Sequence, residues 1–237
     1  MKYKSTYELL KPIVDAIDKT FTIQSVTDNT DGTYTLFSCN TLWACQGFNV
    51  TIQGNVYKIT TINPDVSITV KGTVLPTKGT FNLYPPVFYH GTIKATDGDL
   101  LKKINSKLLD SDRLPIIWLH EPTEERVEED KMNAIAFRAN CEIYFMVKSN
   151  FAEWTNDDHY TYAIKPMRGL ITSFMDSVRK ARTLNETKLT TSKPKDFARW
   201  GIYMGKDGGE KTIFSMPMSG CRFDIEIPFI KTKNNCC

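Results

Sequence analysis

The sequence predicts an α+β fold, an antiparallel sheet with helices packed on one face, together with a small inserted all-β barrel of the SH3 or OB kind. Three observations predict it. Cys141-Glu-Ile-Tyr-Phe-Met-Val147 alternates Cys141, Ile143, Phe145 and Val147 with Glu142, Tyr144 and Met146, the period of a half-buried strand. After Pro166, a residue suited to a first helical turn, Met167, Leu170, Ile171, Phe174, Met175, Val178 and Ala181 fall on one stripe at helical spacing and can cover that strand's sheet. Between residues 21 and 71, five short β-rich runs alternate with turn residues, the pattern of a small barrel.

Taken in order, Ser5-Thr-Tyr-Glu8 is a capping-box pattern that starts a helix running to about residue 18, with Leu9, Leu10, Ile13, Ala16 and Ile17 on its stripe. Strands are expected at residues 21–27, 33–39, 49–53, 56–62 and 66–71. Pro76, Gly79, Pro85, Pro86 and Gly91 then mark a connector without regular structure. Thr96 can cap a second helix whose stripe is Leu100, Leu101, Ile104, Leu108 and Leu109. Leu114-Pro-Ile-Ile-Trp-Leu119 lacks polar alternation, as a strand covered on both faces would.

Residues 121–131 are expected to be a strongly acidic loop before the strand at 139–148. The long helix at 166–181 ends on Arg179, Lys180 and Arg182, where cations suit the helix dipole. Further strands are expected at 197–204, 211–216 and 220–230, with Pro228 marking the last as an edge. This organisation assigns residues 1–20 and 88–231 to the α+β unit, 21–87 to an inserted barrel and 232–237 to a flexible tail. Two domains in series is the alternative.

Composition excludes several classes. A net charge of +3 over 237 residues gives no whole-chain argument for nucleic acid or membrane. Residues 1–11 hold no apolar signal region, and no run approaches the ~18 apolar residues of a membrane span. A protein made in the cytoplasm, with no membrane partner, is therefore expected. Cys141 and Cys221 take inward positions on strand patterns and are expected to be buried, reduced thiols. Cys236 and Cys237 belong to the tail.

The search for chemistry returns no site. His90, His120 and His159 are scattered, and neither His120-Glu121 nor Asp157-Asp158-His159 has a second spaced ligand pair, so no metal and no catalytic residue is assigned. Asp28-Asn-Thr-Asp-Gly32 begins like a calcium loop but has Cys39 where the twelfth-position Glu belongs, and is expected to be a turn. No phosphate loop, nucleophile elbow or dinucleotide fingerprint occurs, and no cofactor is expected.

Charge by segment is more informative. Residues 110–131 carry eight acidic residues against three basic ones, and residues 165–206 carry ten basic against three acidic. A head-to-tail ring can use such a split, with Glu121, Glu124, Glu125, Glu128, Glu129 and Asp130 of one copy facing Lys165, Arg168, Arg179, Arg182, Lys188 and Lys193 of the next. Trp154, Tyr160 and Tyr162, in the expected loop before the long helix, are candidate contact anchors. The competing reading is two independently solvated surfaces.

The order of elements, a leading helix, the helix at 97–109, the strand at 114–119, a protruding loop, the strand at 139–148, the helix at 166–181 and closing strands, resembles the tail-terminator and neck proteins of tailed bacteriophages. Phe88-Tyr-His-Gly-Thr92 and Leu114-Pro-Ile-Ile-Trp-Leu-His-Glu121 resemble stretches in neck ring proteins of crAss-like phages. The resemblance covers residues 88–230. It implies a virion structural protein and not an enzyme, forming a ring of about six or twelve copies at the head–tail junction. Its partners would be the portal, other neck or tail rings, and DNA passing through the channel without sequence-specific binding. A second function class is a nucleic-acid binder using Tyr34, Phe37, Trp43, Phe48 and Tyr57 for stacking together with the basic segment. Against it, residues 21–71 carry only Lys58 and Lys71 as bases. A hydrolase is a third class, for which the sequence supplies no nucleophile and base pair.

Overall fold

The structure is a computed structural model that describes residues 5–105, 115–129, 135–181, 190–191, 193–204, 206 and 210–230. In chain order its elements are α1 (Thr6–Asp15), β1 (Thr20–Ile23), β2 (Ser25–Asp28), β3 (Thr33–Phe37), β4 (Asn49–Ile52), β5 (Asn55–Asn63), β6 (Ser67–Lys71), β7 (Gly79–Asn82), β8 (Val87–Gly91) and α2 (Ile93–Asn105). There follow β9 (Ile116–Glu129), β10 (Ile135–Lys148), α3 (Asn156–His159), a π-helical turn (Tyr160–Ile164), α4 (Lys165–Lys180), β11 (Thr190–Thr191), β12 (Lys195–Trp200), β13 (Ile202–Met204), β14 (Glu210–Thr212) and β15 (Met218–Ile230). The protein is mixed α+β and mostly sheet.

The largest sheet runs β11-β15-β10-β9-β8, with β12 also on β15. β10 pairs antiparallel with β15 from Ala136↔Ile230 to Lys148↔Met218, and with β9 from Ile135↔Glu129 to Met146↔Ile116. β8 joins β9 in parallel, so the sheet is mixed where a purely antiparallel one was expected. The connector residues 79–91 contain strands because Pro85 and Pro86 fall between β7 and β8 and take no ladder position. A parallel neighbour needs a crossover, which α2 provides.

Local chemistry explains the helices. Ser5 Oγ accepts from the Glu8 amide at 3.3 Å while Glu8 Oε2 accepts from the Ser5 amide at 2.9 Å, the expected reciprocal cap. α1 stops at Asp15, short of residue 18, and buries Leu10, Ile13 and Val14. α2 starts at Ile93, with Thr92 Oγ1 accepting from the Ala95 amide at 3.5 Å, so Thr96 is a buried residue inside the helix and not its cap. Residues 106–109 of the expected helix lie outside the described residues.

The expected loop before α4 is helical. Thr155 and Asp158 form a second capping box, and helix continues from Asn156 to Lys180. Proline inside a helix lacks an amide and crowds the carbonyl four residues back. The π turn just before Pro166, closed by the Lys165 amide on the Tyr160 carbonyl, lengthens the backbone spacing there and relieves that crowding.

The sheet has two covered faces. Phe145 meets Phe174 with ring centroids 5.5 Å apart, and the Cys221 thiol reaches the Ile164 carbonyl at 3.7 Å, which puts α4 on the expected inward residues. α1 packs on α4 and on β8, where Tyr7 stacks on Phe88 and His90. On the other face Trp118 stacks on Tyr144 at 4.8 Å, and Trp200 and Phe214 close over them. α2 is bonded through Asp97 to Ser215, beside Phe214. The helices therefore do not all share one face: α1 and α4 do, and α2 is tied to the segment capping the aromatic side.

The expected barrel is not closed. β2-β3-β6-β5-β4 form an open five-stranded antiparallel sheet, and β1, expected to continue into β2, pairs with β7 instead. Tyr34, Leu36, Val50, Tyr57, Ile59, Ile62, Ile68 and Val70 are buried on its inner side, a bulge between Ile59 and Thr61 keeping Ile62 in phase. These side chains join the core of the larger sheet in one continuous cluster. Trp43 Nε1 donates across the junction to the Tyr84 carbonyl at 3.2 Å.

Candidate oligomer interface

The expected acidic loop is the outer part of a ribbon. β9 runs through Glu121 to Glu129, because those residues find a full antiparallel partner in residues 135–140: Glu124 faces Asn140, Glu125 faces Ala139, Glu128 faces Ala136 and Glu129 faces Ile135. The register slips near Glu121 and Pro122, whose peptide bond is cis. The 14 residues of β10 span ~46 Å and the 16 residues of α4 span ~24 Å. The Phe145–Phe174 contact seats α4 away from Glu124–Glu129, and the π turn ahead of it meets Cys221, the strand partner of Phe145.

Glu121 sits closer in, with Oε1 3.2 Å from His90 Nδ1. Glu124 is exposed and 3.9 Å from Arg126, a surface pair of small energetic weight. Asp130 lies outside the described residues.

The basic side is less free than its composition suggests. Arg168 Nε donates to Asp196 Oδ1 at 3.0 Å, and a second bond joins the same two side chains, so the fork is bidentate. That bond to Asp196 raises the Arg168 pKa above its ordinary value. Arg179 pairs with Asp176 at 2.9 Å. Both thus meet carboxylates of their own chain. Lys165 and Lys193 are exposed, and neither has an ion pair among the described residues. Arg182 and Lys188 lie outside them.

Lys165 and Arg168 also border a cleft of about 250 Å³ between α4 and the loops at Thr41-Leu42 and Pro64-Asp65. Gly169 makes that approach close: a Cβ there would lie 2.7 Å from the Leu42 carbonyl oxygen.

Of the three aromatic anchors, Trp154 lies in the loop before α3, as expected, whereas Tyr160 and Tyr162 are in the π turn. Tyr160 is exposed in the π turn, while Trp154 and Tyr162 are half-buried against each other with ring centroids 5.6 Å apart. Of the aromatics weighed for base stacking, Tyr34, Trp43 and Tyr57 are buried in the core, which leaves only Phe37 and Phe48 partly accessible.

Two clusters escaped the sequence. On the aromatic face, strand pairing gathers His120, Glu142, Tyr144, Arg222, Asp224 and Lys195. Arg222 bonds Asp224 at 2.7 Å and Glu142 at 3.2 Å, Lys195 reaches Asp224 at 3.2 Å, and the Tyr144 hydroxyl donates to Glu142. Burial, then the Glu142 carboxylate, pushes the Tyr144 phenol up. The alternation of β10 and β15 already put Glu142, Arg222 and Asp224 on one side, but only the pairing Glu142↔Asp224 makes them neighbours.

The second is His159 with Ser219 at 3.0 Å. It has the spacing of a base and nucleophile, yet both are fully buried and the hydroxyl is given to the Ala198 carbonyl, which removes it from acyl chemistry.

Cys45, Cys141 and Cys221 are buried thiols that form no disulfide, and Cys39 is exposed. Among the described residues no group of three or more His, Cys, Asp or Glu could hold a metal ion, and no helix is long and apolar enough to cross a membrane. No protein-family profile matches the chain, and no curated protein matches it in sequence.

Proposed function

We propose that this chain is a structural protein of a tailed-phage virion that assembles as a ring at the head–tail junction, around the DNA channel and docked on the portal or an adjacent ring. The observation that carries the reading is the ribbon of β9 and β10. Its Glu124–Glu129 end pairs with Ile135–Asn140, away from the Phe145–Phe174 contact that seats α4, while α4 presents exposed Lys165 beside the cleft at Thr41-Leu42. A projecting acidic ribbon and a cationic shoulder on one subunit suit a heterologous, head-to-tail contact that closes into a ring. The resemblance in element order supports the same placement. Negative-stain imaging of the purified protein with and without its portal tests it: closed rings are expected, and single unassociated particles in both samples overturn it.

A further inference from the structure

His159 ends α3 and is fully buried. Ser219 gives its hydroxyl proton to the Ala198 carbonyl, so it can only accept from His159. Nδ1 therefore carries the ring proton and Nε2 is a bare acceptor. Among the described residues Nε2 has no hydrogen-bond partner.

Its surroundings do not welcome a second proton. The rings of Phe151 and Trp154 stand 5.8 and 5.4 Å away from the imidazole. The charged groups that face it are Arg199 from β12 and Asp158 from its own helix; β15 offers only the Ser219 hydroxyl. Burial first and Arg199 second hold the imidazole pKa below its ordinary value, while Asp158 pulls the other way. The Asp158 carboxylate is itself occupied by the Thr155 amide and hydroxyl. A protonated Nε2 would be a donor with no acceptor in an aromatic box beside a guanidinium.

What His159 fastens is defined. The π turn and α3 rest on β12, and the π turn also rests on β15 and β10. The same stretch carries Tyr160 and Tyr162, and Trp154 lies just before it. We propose that His159 is an acid-operated latch, in which one proton on Nε2 releases Asn156–Ile164 from β12 and β15 while α4 stays seated on the sheet. Because the seated form holds the imidazole neutral, the proton favours the released form. The latch is at full strength above the unperturbed imidazole value of about 6.5 and weakens progressively as the pH falls below it. The inference does not depend on ring assembly.

Amide hydrogen exchange on the full chain at pH 7.5 and pH 5.0, corrected for intrinsic rates, tests it. Residues 156–164 are expected to lose about tenfold protection at the lower pH while residues 170–178 keep theirs. His159→Asn, which keeps a donor toward Ser219 and cannot titrate, is expected to remove the difference. Equal protection at both values, loosening of all segments together, or the same pH response in His159→Asn overturns the latch. Should that variant not fold, imidazole proton resonances of the native protein decide: they must titrate together with the amides of 156–164, and separate titrations overturn the proposal.

Discussion

Gly220 lies directly against Phe145: a Cβ built on Gly220 would sit 2.0 Å from the Phe145 carbonyl oxygen and 2.9 Å from the Met146 Cα. The two long strands β10 and β15 touch backbone to backbone there, beneath the Phe145–Phe174 contact that seats α4. Gly220→Ala must push the strands apart and is expected to cost about 3 kcal/mol, lowering the unfolding midpoint by roughly 10 °C in a thermal melt. An unchanged midpoint would show that the strands are not so close.

Trp118 is the centre of the aromatic face, fully buried, with Nε1 donating to the Gly91 carbonyl at 3.0 Å. Trp118→Ala is expected to destabilise by about 4 kcal/mol, from lost packing on Tyr144, Trp200 and Phe214. Trp118→Phe keeps much of the ring but strands the Gly91 carbonyl, so an intermediate loss of about 2 kcal/mol is expected in denaturant unfolding.

Asp224 is pulled both ways. Burial raises its pKa, but the bonds from Arg222 and Lys195 outweigh that and hold the carboxyl below the usual carboxylate range. A depressed folded value means stability that is complete above the unfolded pKa near 4 and is lost as pH falls through the folded one. Asp224→Asn is expected to remove about 1 kcal/mol at pH 7, small because the pairs are partly exposed, and less at a pH below the unfolded value of about 4. Chemical denaturation at the two pH values reads the difference.

If the acidic ribbon meets the α4 shoulder of a second copy, opposite reversals must rescue each other. Glu124→Lys and Lys165→Glu are each expected to weaken self-association about tenfold, and mixing the two variants is expected to restore it. Both side chains are exposed, so neither change should move the thermal midpoint of the isolated subunit by more than a few degrees.

Local signals were legible where one element decides them. The Ser5–Glu8 cap and the stripe from Met167 to Val178 depend on neighbours within a few residues, and the structure follows them. Cys141 to Val147 forms the expected strand, but Tyr144 and Met146, expected on its uncovered face, are buried as well because the aromatic cluster covers that side. What depended on pairing was not legible. Residues 121–129 look like an acidic loop until residues 135–140 lie beside them, and strand β1 looks continuous with β2 until β7 takes it. Pro228 shows both sides: β15 is interior where β11 and β12 flank it, but among the described residues Pro228 lies beyond Glu226, the last residue paired with β11, and is paired only with β10. Thr155-Asn-Asp-Asp158 was a readable cap for the unexpected helical segment, with Asp in the position usually held by Glu or Gln. For the interface, residue counting overstated the cationic side, since Arg168 and Arg179 are engaged by Asp196 and Asp176 of the same chain.

The central claim, that this subunit builds a ring through surfaces of unlike charge, is tested most directly by the mass of the purified protein in solution across ionic strength. Light scattering is expected to give a particle of several times 27.0 kDa at low salt that falls toward one subunit as salt screens the contact. A mass of 27.0 kDa at every salt and protein concentration, alone and with the portal, contradicts the claim.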